Sequence, residues 1–142
     1  MFYNIIQHAH SGLAYLVLAF LVIAVINSLV GFSSKKEFTG KDRKIALFAL
    51  IFTHIQFLVG IILYFVSPLG KSAFGQMSDE LLRKTSLEHP LVNLIAIILI
   101  TIGWSKHKRL ETSHGKFKNF AIFYTIGLVL LLSMIPWNLW FK

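Results

Sequence analysis

Six histidines are the residues of this chain best suited to bind a metal ion or to transfer protons near neutral pH. They occupy positions 8, 10, 54, 89, 107 and 114. The chain has no cysteine, which excludes disulfides, thiolate metal sites, iron–sulfur clusters and thioether-linked haem. Any cofactor hypothesis for this sequence therefore depends on imidazole nitrogens.

His10 and His89 are each predicted near the outer end of a long apolar helix, the first and the third of the chain. Helices that pack in sequence order place the first and third members diagonally across a four-helix core. Two imidazoles at similar depth on diagonal helices suit a b-type haem, whose iron takes one nitrogen from each side. We therefore predict that His10 and His89 are the axial ligands of a haem b.

Helical periodicity indicates which side chains face the same way as these two histidines. His89 shares its face with Asn93 and Gly103, in a small or polar stripe that favours a bundle interior or a planar ligand. His10 and His8 point in nearly opposite directions, so they cannot both face inward. We predict that His10 is the inward one and that Asn93 lines the cofactor.

His54 lies about ten residues past Lys44, which places it ~15 Å into the bilayer at the helical rise per residue. Two alternatives stay open for it: a neutral histidine bonded to a neighbouring helix, or a metal-binding or proton-transfer residue. It is ~9 Å deeper than His89 and therefore a poorer partner for the same iron. A second haem shared with His114 is the alternative; otherwise His107 and His114 are expected to be solvated in a basic loop.

One face of the second helix carries small or polar residues at helical spacing: Thr53, Gln56, Gly60 and Tyr64. A polar seam between packed helices is the favoured interpretation. The alternative is a lining for a haem edge or a quinone head group, because Gln56 and Tyr64 can both bond a carbonyl. Arg83 lies in the loop near the His10 and His89 end, where a haem propionate partner and a solvated loop residue are equal alternatives.

Four apolar stretches must position these residues, at about 5–32, 45–66, 88–105 and 118–141. Each approaches the roughly 20 residues that cross a ~30 Å hydrocarbon core. Hydrophobic residues make up 56% of the chain and charged ones only 14%, against about 25% in soluble domains. We predict an all-α integral membrane protein, an up-down-up-down four-helix bundle in one domain over 1–142. Ser78 is expected to cap a short helix in the second loop, and Pro136 to kink or end the last helix.

The distribution of positive charge predicts the orientation of the bundle. Ten of the fourteen lysines and arginines fall in the first and third loops, which the positive-inside rule assigns to the cytoplasm. Both termini and the second loop are then outside. This topology signal explains the net charge of +8 better than nucleic-acid binding does. The N-terminal segment lacks a basic region and is expected to be retained rather than cleaved.

Several short stretches resemble a set of small bacterial four-helix membrane proteins labelled cytochrome b-like. They are HSGL (10–13), THIQFLVGIILYF (53–65), EHP (88–90), IAIILITIGWSK (95–106) and IPW (135–137). The second and third helices are also similar in style to a half-bundle of haem A synthase. The resemblance implies haem b and electron transfer. Together with the distribution of positive charge, it leads us to expect a bacterial cytoplasmic membrane with periplasmic termini. His10, His54 and His89 fall inside the matching motifs.

The sequence thus predicts a b-type haem protein of the membrane, with one haem as the expectation and two as the alternative. It would act as an electron carrier or as a small subunit of a respiratory complex, with quinone or quinol as the expected redox partner. No arrangement of residues indicates a substrate-converting enzyme. The rival interpretation is a non-haem accessory or assembly subunit of a larger membrane complex. A transporter that uses His54, Gln56 and Tyr64 is weaker, because its helices lack charged residues.

Overall fold

The computed structural model describes residues 1–140, and this part of the chain is helical without β-strands. Its α-helices are α1 (Phe2–Ser34), α2 (Gly40–Val66), α3 (Glu80–Arg83), α4 (His89–His107), α5 (Ser113–Ser133) and α6 (Trp137–Trp140). A 3₁₀ turn (Lys71–Ala73) follows α2, and a π-helical segment (Lys84–Glu88) joins α3 to α4 without a break. Four helical runs are long and apolar enough to cross a membrane. The predicted all-α class with four such helices is confirmed for the described residues.

Capping explains where two of the helices start. α2 begins at Gly40, earlier than its apolar run, because the N–H of Thr39 donates to the side chain of Asp42 at 2.9 Å in a capping box. The short helix α3 is capped by Asp79, which accepts from the N–H of Leu82 at 3.0 Å, and not by the predicted Ser78.

The chain leaves the helix at the end of α5, before its apolar run is over. α5 ends at Ser133, and the short helix α6 begins at Trp137. Pro136 lies between them, where its missing N–H cannot continue a helix. The last turns of the predicted fourth stretch are therefore a separate element, and its predicted end at residue 141 lies outside the described residues.

The four long helices surround one core. α1 packs against α2 and α5, α4 packs closely against α5, and α2 and α4 are in looser contact. Gly127 on α5 lies directly against Ile100 on α4, where an added Cβ would come within 2.5 Å of that side chain. The largest fully buried side chains are Tyr124, Phe117, Phe120, Leu21 and Ile100. Small residues at the α4–α5 contact thus let two backbones approach closely, as in membrane helix pairs.

The outer surface of the bundle is apolar on all four long helices. Leu58 on α2 is 61% exposed and Phe65 is 62% exposed, and large aliphatic residues of α1, α4 and α5 are exposed as well. A monomeric soluble protein rarely exposes a contiguous apolar surface of this extent. The surface is compatible with contact to a lipid bilayer.

Polar contacts between helices mark two ends of the bundle. At the basic end, defined as residues 35–44 and 106–118, the N–H of Phe38 donates to the hydroxyl of Ser113 at 2.9 Å and ties the first and third loops together. The other end carries His10 and His89, and we call it the histidine end. There, the side chain of Gln56 donates to the carbonyl of His10 at 2.7 Å and ties α2 to α1. Most of the candidate site residues predicted from the sequence lie at the histidine end.

Candidate functional site

The rings of His10 and His89 meet between α1 and α4 at the histidine end, where both residues are half-buried. Their centroids are 6.2 Å apart and their planes are at 85°. His10 lies on α1 and His89 begins α4, and these two helices are diagonal because α2 and α5 lie between them. The structure therefore brings together the two histidines that the sequence pairs, on the helices expected to carry them.

A backbone carbonyl fixes the orientation of the His89 ring. Its Nδ1 lies 2.9 Å from the carbonyl oxygen of Met134, and a carbonyl can only accept, so Nδ1 carries the hydrogen. Nε2 then keeps its lone pair. The Met134 carbonyl is available because α5 ends at Ser133 and the last carbonyls of a helix lack partners within it. A histidine that donates one N–H to a carbonyl while the other nitrogen bears a lone pair is the usual arrangement of a metal ligand.

α2 supplies the surface against which the His10 ring lies. An alanine Cβ at Gly60 would be 3.2 Å from His10 Cε1, a tight contact that would press on the ring, so glycine leaves the ring its present space. One turn earlier, the amide nitrogen of Gln56 donates to the backbone carbonyl of His10. α2 thus holds both the backbone and the ring of His10.

Three buried polar atoms around these rings have no hydrogen-bond partner among residues 1–140: His10 Nδ1, Gln56 Oε1 and Asn93 Oδ1. Each such atom costs about 1–3 kcal/mol when it is buried without a partner. The amide nitrogen of Asn93 lies 3.3 Å from both nitrogens of His89, and because Nδ1 carries the hydrogen, this amide can donate only to Nε2. We call His10, Gln56, His89 and Asn93 the histidine cluster.

Tyr64 positions the segment that leads into His89. Its hydroxyl donates to the backbone carbonyl of Ser86 at 2.9 Å, in the π-helical segment before α4. Thr53, on the same face of α2, donates to the carbonyl of Ala49 within its own helix. These contacts correspond to the polar packing seam that the sequence favours for this face.

His54 lies on the exposed surface between α2 and α4, outside the histidine cluster. The hydroxyl of Thr101 donates to the carbonyl of Ile97 at 2.7 Å, so it accepts from His54 Nε2 at 2.9 Å. His114 stacks on Phe32 at the basic end, with ring centroids 4.4 Å apart. Within the described residues, no ring contact joins the two histidines of the alternative second pair.

Arg83 is held beside the histidine end by two contacts. Its Nε lies 3.3 Å from the carboxylate of Glu88, and its Nη1 donates to the carbonyl of Met77 at 3.0 Å. Both side chains of the ion pair are more than a third exposed, so the pair is open to solvent. The role of Arg83 toward a haem propionate stays a prediction.

His107 differs from its expected solvated state: it is 2% exposed. Its ring lies 4.5 Å from that of Trp104 and 4.8 Å from that of Phe120, and its Nδ1 bonds to the carbonyl of Trp104. The prediction was wrong because α4 continues past its expected end at residue 105, which keeps this side chain on the inward stripe. Gly103, four residues earlier on that stripe, is the sequence signal that would have found it.

The chain was compared with protein-family models, with curated proteins and with solved structures, and nothing matches in any of the three. The resemblance to the cytochrome b-like proteins therefore stays an expectation, and function is argued from the site itself.

Proposed function

We propose that this chain is an integral membrane protein whose four long helices cross a bacterial cytoplasmic membrane in up-down-up-down order. The apolar outer surface and the gathering of ten basic residues at one end support this arrangement. The contacts of Asn27 with Asp42 and of Asn119 with Gly103 fit alternating helices, because each joins the end of one helix to the start of the next. The basic end is then cytoplasmic, and the histidine end and both termini are periplasmic.

We propose further that the histidine cluster binds one haem b, which His10 and His89 would hold through their imidazole nitrogens. The observation that carries this is the 6.2 Å between the two ring centroids on diagonal helices. Two imidazoles that share one metal through bonds of about 2 Å have their centroids roughly 6 Å apart. The unpartnered Nδ1 of His10 and the oriented ring of His89 fit such ligation, so the residues present suit the group.

Each residue of the site then has a definite role. Gly60 gives the His10 ring its space, and the Met134 carbonyl keeps the lone pair of His89 on Nε2. Gln56 and Asn93 present acceptor oxygens beside the rings. When bound, the haem supplies one-electron transfer in a site of low dielectric. Membrane quinone or quinol is the proposed redox partner, and other subunits of a redox complex are the proposed protein partners.

Visible spectra of the detergent-purified protein, expressed with excess haem precursor, test this function. The oxidised and the dithionite-reduced spectra should show a sharp reduced α-band of the b type. His10→Ala and His89→Ala should each abolish it, and added imidazole should restore it in His10→Gly because the free ligand replaces the lost side chain. His8→Ala is the matched control, since His8 is exposed and its only hydrogen bond among residues 1–140 is to the carbonyl of Asn4.

His54→Ala is a second control, because His54 lies outside the histidine cluster and should not affect the spectrum. A colourless wild-type protein, or equal loss of colour in all four alanine variants, would contradict the proposal. The colourless result would leave the non-haem accessory subunit as the better account.

A further inference from the structure

The basic end contains a cavity of about 380 Å³ between the first and third loops. Three cations line it from three different segments. Arg43 is in the first turn of α2, Lys108 follows α4, and Lys116 is in the first turn of α5. Gly40, the first residue of α2, lines the cavity as well. We call this the basic cavity; it is distinct from the histidine cluster at the other end of the bundle.

No carboxylate among residues 1–140 forms an ion pair with these three cations. The nearest acidic residue in sequence, Asp42, is 3% exposed and is engaged by Lys36 at 3.2 Å and by Asn27 at 3.0 Å. The whole basic end carries ten lysines and arginines against three acidic residues. The three cations of the basic cavity therefore have no ion-pair partner among the described residues.

Aromatic rings hold the three cations in place. The guanidinium carbon of Arg43 is 4.9 Å from the ring centroid of Trp104, and Lys108 Nζ is 5.4 Å from the same centroid. Lys116 Nζ is 5.5 Å from the ring centroid of Phe38. Stacking on a ring face restricts a long side chain without using its N–H donors. The cavity is thus lined by three cationic side chains whose conformations are already restricted, which reduces the conformational entropy lost when an anion binds.

We propose that the basic cavity binds the phosphate group of an anionic phospholipid. Arginine presents a planar fork that matches phosphate oxygens, and lysine adds point charges. Exposed apolar residues follow on the same helices, with Phe48 on α2 46% exposed and Ile102 on α4 43% exposed. A phospholipid can place its phosphate against the cations of the cavity and its acyl chains against the exposed apolar residues. Free phosphate can contact only the cations. The inference rests on the proposed membrane insertion and not on haem binding.

Lipid binding can be measured by native mass spectrometry of the purified full-length protein. Phosphatidylglycerol and phosphatidylcholine are titrated separately in a neutral maltoside micelle. Titration at moderate salt suppresses diffuse attraction, because the screening length at ~0.15 M is about 8 Å. The cavity variant is Arg43→Gln/Lys108→Gln/Lys116→Gln. Its matched control removes three exposed lysines of the same end that do not line the cavity: Lys35→Gln/Lys44→Gln/Lys118→Gln.

The wild type should retain phosphatidylglycerol in preference to phosphatidylcholine. The cavity variant should bind phosphatidylglycerol on the order of a hundredfold more weakly, since each cation contributes roughly fivefold. The matched control should lose less than about tenfold, because its charges act only through the screened field. If the triple variant does not fold, as judged by circular dichroism, Lys108→Gln alone should still weaken binding by about fivefold.

Two results would overturn the proposal. One is an equal loss of binding in the cavity variant and in its matched control, which would reduce the effect to net charge. The other is saturable binding of inorganic phosphate, followed by calorimetry, without any preference for phosphatidylglycerol over phosphatidylcholine. That second result would assign the cavity to a soluble phosphate compound.

Discussion

Gly127→Ala should destabilise the bundle by overpacking the contact between α5 and α4. The new Cβ would lie 2.5 Å from Cγ1 and 2.7 Å from Cδ1 of Ile100, and 3.3 Å from the carbonyl oxygen of Ala96. Ile100 is fully buried, so its side chain can move away from the new Cβ only by displacing its neighbours. Overpacking of this kind costs about 1–3 kcal/mol. Alanine in a helix regains about 1 kcal/mol relative to glycine, so the net destabilisation is roughly 0–2 kcal/mol.

A matched glycine separates the two contributions. Gly12 lies in α1, and an alanine Cβ there would meet nothing within 4 Å. Gly12→Ala therefore carries the propensity gain without the clash. The difference between the two variants should equal the overpacking cost alone, about 1–3 kcal/mol. The free energy of unfolding of each variant is measured by titrating maltoside micelles with dodecyl sulfate and following circular dichroism.

Ile100→Ala provides the decisive partner for Gly127→Ala, because it removes the two atoms against which the new Cβ would clash. The double variant should be more stable than the sum of the two single effects implies, with a coupling energy of about 0.5–3 kcal/mol. Equal stability of Gly127→Ala and Gly12→Ala, together with additive single effects, would refute this account of the α4–α5 contact.

Two further substitutions test polar contacts that involve α2, by the same unfolding titration. Tyr124→Phe removes the hydrogen bond from a fully buried hydroxyl to the carbonyl of Ala46, 2.9 Å away, and should cost about 1 kcal/mol; an unchanged midpoint would contradict it. Asp42→Asn weakens the capping box with Thr39 and the ion pair with Lys36, and should cost about 1–2 kcal/mol. Lys36→Gln is its control and should cost less, because Lys36 is exposed and Asp42 keeps its capping contacts.

Residue counting predicted four long helices, although α5 (Ser113–Ser133) begins and ends earlier than its predicted span of 118–141. Apolar length predicts the four candidate membrane helices, since only a helix satisfies its own backbone hydrogen bonds in lipid. The 3.6-residue period then distinguishes His10 from His8. The structure has the His10 and His89 rings 6.2 Å apart and leaves His8 exposed. Their binding of iron stays a prediction.

Two contacts between residues far apart in sequence could not be predicted from the sequence. The carbonyl of Met134 orients His89 because α5 stops at Ser133, and no composition rule gives that stopping point within a residue. His107 lies on the inward stripe of α4, and Phe38, far away in sequence, folds beside it with ring centroids 6.1 Å apart. Periodicity within α4 can show that His107 faces inward, but it cannot show that a distant loop supplies Phe38 as its neighbour.

The measurement that tests the central claim most directly is the haem content of the purified wild-type protein. Extraction into acidified acetone followed by the pyridine haemochrome assay should give one haem b per chain, because a chain without cysteine has no thioether link to retain it. The same assay should give none for His10→Ala or His89→Ala and an unchanged value for His8→Ala. A wild-type protein that yields no haem, although expressed with ample precursor and folded by circular dichroism, would contradict the account.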